Sequence, residues 1–349
     1  TIASNKMAKK NVIVKKLNSV ESLGSCTVIA SDKTGTLTVD EQTAKKILLP
    51  NNVSYDVSGT GYNDQGRISG SEIYLDDVLD ISKYGVINNE AGLQKQNDKF
   101  DIYGDSIDIA FLALGLKANV DTNDIEVIGK IPYESENKYS AVFYKKDNEV
   151  HCTVKGSIEK VMSFCTKMSL NGEADLDKNI LIKQNEDLAK EGYRVIALAD
   201  GIISNFKSKE FYDGNDISSL TFKGLVGFID PIREEVKESL KECENAGIKV
   251  AMITGDHPLT AFAIAKELGL AQKLEEVTTG IEVEEHINKG KQAFDEFVES
   301  KRVFTRVTPL DKLKIVESYK RQGEFIAVTG DGVNDAPALR SANIGIAMG

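Results

Sequence analysis

KVAMITGDHPLTAFAIAKELG, residues 249–269, decides the fold. Its first five residues make a short apolar, β-branched run that reads as a buried strand, and the run breaks at Thr254-Gly255-Asp256. Pro258 stands where the first turn of a helix tolerates proline, apolar residues then recur at helical spacing, and Gly269 closes the segment. The same succession surrounds it. Upstream, KGLVGFI (223–229) reads as a strand and EEVKESLKECENAG (234–247) as an amphipathic helix closed by Gly247. Downstream come RVFTRV (302–307) as a strand, a helix capped by Thr308 with Pro309 in its first turn, and FIAVT (325–329) and IGIAM (344–348) as strands. Near the start, TVIAS (27–31) is one more strand, ending at the polar stretch SDKTGTLT (31–38). This alternation predicts an α/β fold with a doubly wound parallel sheet covered on both faces.

Between these parts the texture changes. From about residue 45 to 222 the chain carries Gly/Asn/Asp-rich turns such as SGTGYNDQGRISG (58–70) and a hairpin pattern, AVFYKKDNEVHCTVKG (141–156), built around Asp147-Asn148. It reads as an inserted α+β domain with antiparallel strands. The hinges are expected at VDEQT (39–43) and DPIRE (230–234), giving a first domain of residues 1–42 and 230–349 and an insert of 43–229 that can rock on its two crossings.

The bulk numbers bound the function. At 349 residues the chain exceeds one ordinary core, and 41% hydrophobic with 28% charged residues is a globular balance. It has no run of ~18 apolar residues that could cross a bilayer. A net charge of −11 leaves no basic surplus for a phosphate backbone, so a nucleic-acid partner is not expected. Cys26, Cys152, Cys165 and Cys243 are scattered, with no pair spaced for zinc, and read as reduced packing residues. Residues 1–16 lack the apolar core of a secretory signal. The chain begins at Thr1 and stops at Gly349 just after an apolar run, so a longer natural protein is expected, with this stretch monomeric.

In a doubly wound sheet, ligands sit beyond the carboxyl ends of the strands. Three strands there deliver reactive groups: Asp32; Thr254-Gly255-Asp256; and Thr329-Gly330-Asp331-Gly332 with Asn334 and Asp335. Converging carboxylates require a cation, and an oxygen-only set suits magnesium. Lys312 falls in the first turn of the helix capped by Thr308, where free amides also favour a phosphate. One such charge contact at ~4 Å and an effective dielectric near 20 is worth about 4 kcal/mol. The set would let the Asp32 carboxylate attack a phosphoryl group and form an aspartyl phosphate.

DKTGTLT (32–38), KGS (155–157), DPIR (230–233), TGD (254–256) and TGDGVNDAP (329–337) resemble, in order and spacing, the signatures of P-type ATPases, whose phosphorylation domain has the haloacid-dehalogenase-like fold. The resemblance implies an ATP-driven cation pump's catalytic part that binds Mg-ATP and is phosphorylated at Asp32. It implies magnesium ligands at Asp32, Asp331 and the Thr34 carbonyl, a supporting acid at Asp335, and phosphoryl contacts at Thr34, Thr254, Gly255, Asp256, Lys312 and Asn334. PYESENKYS (132–140) resembles the family's nucleotide segment, placing Tyr133 on adenine, with Lys138, Lys155 and Gly156 beside it. Asp108 falls where the family usually has glutamate, Arg194 in GYRVIALA resembles an arginine that reaches the nucleotide phosphates, and Arg233 would reach them from the hinge. The transported cation would meet only a transmembrane part that this stretch lacks, which places the stretch at the cytoplasmic face of a membrane. MAKKNVIVKKLNSVESLG (7–24) resembles the segment leaving the fourth membrane helix of type II pumps and points to calcium.

Two other classes fit parts of the pattern. A soluble haloacid-dehalogenase-like phosphatase with a cap domain would place an aspartate two residues after the nucleophile, where Thr34 stands. A non-catalytic nucleotide-binding module would not need Asp32, Lys312 and Asp331 together. The family's dephosphorylating TGE loop does not occur, so little turnover is expected. Singly, Asp256 and Asp335 read as helix caps, Tyr133 as a packing residue, and EEVTTGIEVEEH (275–286) as a solvated face. His151, His257 and His286 are unclustered. Lys9, Lys10, Lys15 and Lys16 read as a solvated stalk.

Overall fold

In the computed structural model, which describes residues 7–9, 11–16, 22–96, 99–204, 206–330 and 335–348, the chain divides into a unit of Thr1–Asp40 with Ile232–Gly349 and a unit of Glu41–Pro231. Strand β1 (Val28–Asp32) belongs to the first unit.

The Glu41–Pro231 unit runs β2 (Thr43–Leu48), β3 (Ser54–Val57), β4 (Ile68–Ser69), α1 (Leu75–Ile87), β5 (Gly92–Gln96), β6 (Lys99–Tyr103) and α2 (Ser106–Lys117). It continues with β7 (Glu126–Ile131), β8 (Tyr139–Lys146), β9 (Glu149–Gly156), α3 (Ile158–Ser163), β10 (Cys165–Ser169), β11 (Glu173–Asp175), α4 (Lys178–Lys190), β12 (Arg194–Ile202) and β13 (Leu220–Ile229). The main sheet has the order β4-β3-β2-β13-β12-β9-β8-β7, with β10 joining β13 and β11, while β5 and β6 form a separate hairpin. Every pairing along the main path is antiparallel. The β8–β9 hairpin turns where it was expected: Asp147 and Asn148 both have positive φ, and Lys146 pairs with Glu149. Side-chain alternation splits the sheet's apolar residues between two cores. Phe143, Val154, Ala197 and Phe222 pack toward α3 and α4, whereas Ile47, Leu198, Val226 and Phe228 pack with Ile81 of α1 and Phe111 of α2.

KGLVGFI looked like the first strand of the parallel sheet, but it is the body of β13, seated between β2 and β12 in the antiparallel sheet. Both of its faces are covered, so it lacks the polar alternation that marks a half-solvated strand.

The first unit resumes with α5 (Val236–Asn245), β14 (Lys249–Thr254), α6 (Pro258–Leu268), β15 (Val277–Thr279), α7 (Gly280–Asn288), α8 (Lys291–Glu299), β16 (Val303–Thr305), α9 (Pro309–Arg321), β17 (Ile326–Gly330), α10 (Ala336–Ser341) and β18 (Ile344–Ala347). Its strands lie in the order β15-β16-β14-β1-β17-β18 and every pairing is parallel. Val28, Ala30, Ile253, Phe304 and Val328 pack toward α8 and α9 on one face, and Met252 and Val303 toward α5 and α6 on the other. The Glu-rich stretch 275–286 is solvated on one face, with Glu275, Glu282, Glu284 and Glu285 exposed, and it also builds β15 and α7, with Val277, Thr278 and Val283 buried and Thr279 and Glu282 closing a capping box. His257 rather than Asp256 caps α6, its Nδ1 accepting from the Leu259 amide at 3.3 Å. Among the described residues no helix is long and apolar enough to cross a membrane.

Candidate functional site

β1 lies between β14 and β17, so its last residue emerges at the carboxyl edge beside the ends of both neighbours. That residue is Asp32. Its amide donates to Thr329 Oγ1 at 3.3 Å, and the Thr329 hydroxyl donates to Ser31 Oγ at 3.2 Å, which ties the ends of β1 and β17 together. Lys312 comes from α9, whose start is fixed by a capping box between Thr308 and Asp311 and by Pro309. Its Nζ lies 2.7 Å from Asp335 Oδ1 and 3.4 Å from Asp32 Oδ1, with side-chain exposures of 6% for Lys312, 11% for Asp335 and 19% for Asp32. Gly330 makes this packing possible, because a Cβ there would lie 2.4 Å from Asp335 Oδ2.

The loop after Asp32 is held from three sides. Thr34 is extended (φ −70°, ψ 134°) and Gly35 turns at φ +70°, which only glycine adopts freely. Arg233 donates through Nε to the Thr38 carbonyl (3.1 Å) and through Nη2 to the Gly35 carbonyl (3.0 Å), and its amide donates to Leu37 O at 3.1 Å. Arg233, expected to reach a nucleotide, engages here the loop that follows Asp32. Lys33, nearly buried, pairs with Asp256 at 2.9 Å. Asp256's amide donates to Thr254 Oγ1 at 3.1 Å, and the space around Gly255 is open. Asp331 and Asn334 lie outside the described residues.

In the other unit Lys155, at 5% exposure, occupies the penultimate position of β9. Its ammonium donates to Asp108 Oδ1 at 2.6 Å and to the Asn88 carbonyl, and stands over the Phe111 ring 5.4 Å from its centroid. Burial pushes the Lys155 amine below the ordinary lysine range, and the Asp108 carboxylate opposes that shift. Asp108 Oδ2 accepts from the Glu90 amide at 3.0 Å, so this carboxylate, expected at the nucleotide, serves as the counter-ion of Lys155. Tyr133 is 52% exposed. Lys138 closes the Glu134–Lys138 turn at φ +60°, and its carbonyl accepts from Ser157 at 3.0 Å. Gly156 is required for that approach, since a Cβ would lie 2.3 Å from the Lys138 carbonyl oxygen. Arg194 opens β12 opposite Phe228 and is exposed. Sequence reasoning missed Asn88 and Asn89, because a turn-like Asn-Asn-Glu after a helix carries no sign that both amides are hydrogen-bonded inside.

The donor set around Asp32 fits magnesium. Among the described residues no group of three or more His, Cys, Asp or Glu is placed to hold a metal ion, and Asp331 lies outside them. What Asp32 and Asp335 bring to this edge is oxygen only, the donor chemistry magnesium takes.

Residues 77–235 match the family described as P-type ATPase, cytoplasmic domain N. The whole chain is 37% identical over 365 residues to the cation-transporting ATPase pma1 of Synechocystis sp., covering 40% of that protein. It is 35% identical over 356 residues to calcium-transporting ATPase 1 of Bacillus cereus, again over all of this chain and 38% of the relative. Human calcium-transporting ATPase type 2C member 2 is 37% identical over 361 residues, spanning 99% of this chain and 36% of its own length. The chain thus spans about two fifths of these relatives.

Proposed function

We infer that this chain is the part of a P-type ATPase that takes the γ-phosphoryl group of ATP onto Asp32, a reading its likeness to the family's cytoplasmic domain N and to the Synechocystis relative supports. The observation that carries this reading is the Asp32–Lys312–Asp335 set at the carboxyl edge of the parallel sheet. A carboxylate oxygen of Asp32 forms the new bond to the γ-phosphorus, the bond from that phosphorus to the bridging oxygen breaks, and ADP departs with the electron pair. Lys312 neutralises Asp32 enough for an anion to approach a triphosphate, and Asp335 keeps the ammonium in place. Arg233 holds the Gly35 and Thr38 carbonyls, so the loop that follows the nucleophile keeps its shape. Asp32, the Thr34 carbonyl and Asp331 would hold magnesium, which would offset phosphate charge when bound. Thr254, Gly255, Asp256 and Asn334 would face the phosphoryl oxygens. Tyr133 would stack on adenine, worth about 1–3 kcal/mol, with Lys138, Lys155, Gly156 and Arg194 around the nucleotide.

Thr34, where a phosphatase of this fold would place its general acid, supports a long-lived phosphoenzyme over the phosphatase reading. The full-length parent would be a membrane pump that presents this stretch to the cytoplasm. Calcium is its proposed cation, on the printed names of the Bacillus and human relatives. Incubation with magnesium and γ-labelled ATP, followed by an acid quench, should give hydroxylamine-sensitive label on wild type and none on Asp32→Asn. Equal label on both would overturn the assignment. In the full-length parent, calcium should stimulate the label; stimulation by another cation alone would replace calcium.

A further inference from the structure

Asn88 reaches Lys155 in a way that neither the motifs nor the relatives' names assign. It follows the last turn of α1, donates its amide to the Tyr84 carbonyl at 2.9 Å, and is 2% exposed. Its side chain is fully engaged: Nδ2 donates to the carbonyls of Ser140 (3.0 Å) and Thr153 (3.1 Å), and Oδ1 accepts from Ser140 Oγ at 2.9 Å. Ser140 is the register partner of Lys155 across β8–β9, and Thr153 lies two residues before Lys155 on its own strand. The amide group therefore pins α1 to both strands around Lys155, while the main-chain carbonyl of the same residue accepts from the ammonium. That carbonyl sits at the negative end of α1, which favours a cation.

We propose that Asn88 is a positioning residue: by fastening the end of α1 to β8 and β9 it sets where the Lys155 ammonium stands, and so how firmly a nucleoside triphosphate is held there. The proposal rests on the reading of Lys155 as a nucleotide contact.

The test titrates the full chain, carrying ¹³C/¹⁵N-labelled lysine, by NMR. The Lys155 side-chain signal is assigned by its loss in Lys155→Arg, and ATP affinity is measured in parallel. Asn88→Ala should lower the Lys155 midpoint and weaken ATP about tenfold, whereas Asn88→Asp, which adds a carboxylate, should raise the midpoint. Leu181→Ala, a buried truncation on α4, should lower the melting temperature and leave the Lys155 midpoint alone. If Asn88→Ala does not fold, Ser140→Ala, which removes only the hydroxyl that donates to Asn88 Oδ1, should move the midpoint in the same direction by less. An unchanged Lys155 midpoint in the Asn88 variants would overturn the proposal. So would unchanged ATP affinity in a chain whose Lys155→Met does lose affinity. Wild-type affinity in Lys155→Met would instead sink the nucleotide reading itself, and the midpoints alone would then decide what Asn88 does.

Discussion

Lys312 and Lys155 are both buried ammonium groups, and the two units surround them differently. Lys312 faces two carboxylates, Asp32 and Asp335, from the first turn of α9, where the helix itself presents its positive end. Lys155 faces one carboxylate, one helix-terminal carbonyl and a ring. The first set keeps a formal negative excess even with its lysine in place, which asks for a further cation before a triphosphate can come near. The second set is balanced. The Lys155–Asp108 pair itself adds no net charge to oppose a nucleotide, although the Glu90 and Asp105 carboxylates also favour the ammonium, and the pair suits recognition where the first set suits chemistry.

That contrast can be broken by substitution. Lys312→Met should produce the largest effect, a loss of about a hundredfold or more in the rate of acid-stable labelling, with ATP affinity little changed. A variant that instead lost affinity and kept its maximal rate would merge the two roles. Next come the two glycines. Gly330→Ala should displace Asp335 and cut labelling tens-fold while ATP still binds, and Gly156→Ala should do the reverse, each at about 1–3 kcal/mol of strain. Labelling rates and calorimetric ATP titrations on both variants check this crossing pattern. Lys155→Met should raise the ATP concentration for half-maximal labelling about tenfold and leave the maximum standing.

The smallest effect concerns pH. Burial, with Lys45 nearby, pushes the Lys117 amine down to about 8 from its ordinary 10.5. The folded chain then binds fewer protons than the unfolded chain between those values, so its stability should rise with pH across that window. Lys117→Gln should flatten the rise in melting temperature. Lys155→Met should remove a contribution of the same sign, because burial also lowers the Lys155 amine.

From β14 onward the parallel sheet was legible because its strands, turns and helices follow one another in sequence; β1, paired with β14 and β17 across the whole insert, was legible from its own apolar run and the acidic turn that ends it. The antiparallel sheet was legible only where its contacts are local, as at Asp147-Asn148. Its centre was not, because β13 pairs with β2 and β12 and carries no mark of which sheet it joins. The site divides the same way. Lys312 could be placed from its cap, whereas the counter-ion role of Asp108, the Arg233 grip on the Gly35 and Thr38 carbonyls, and the Asn88 amide all depend on partners far along the chain.

The position of β1 between β14 and β17 has a consequence for biosynthesis. β1 leaves the ribosome long before either of its neighbours, while β2 to β13 form one continuous segment whose partners are all already made when β13 emerges. The inserted unit can therefore complete its sheet during translation, and β1 must wait as an unpaired apolar strand until β14 arrives. The strand that delivers Asp32 is thus the segment that a chaperone has the longest opportunity to hold.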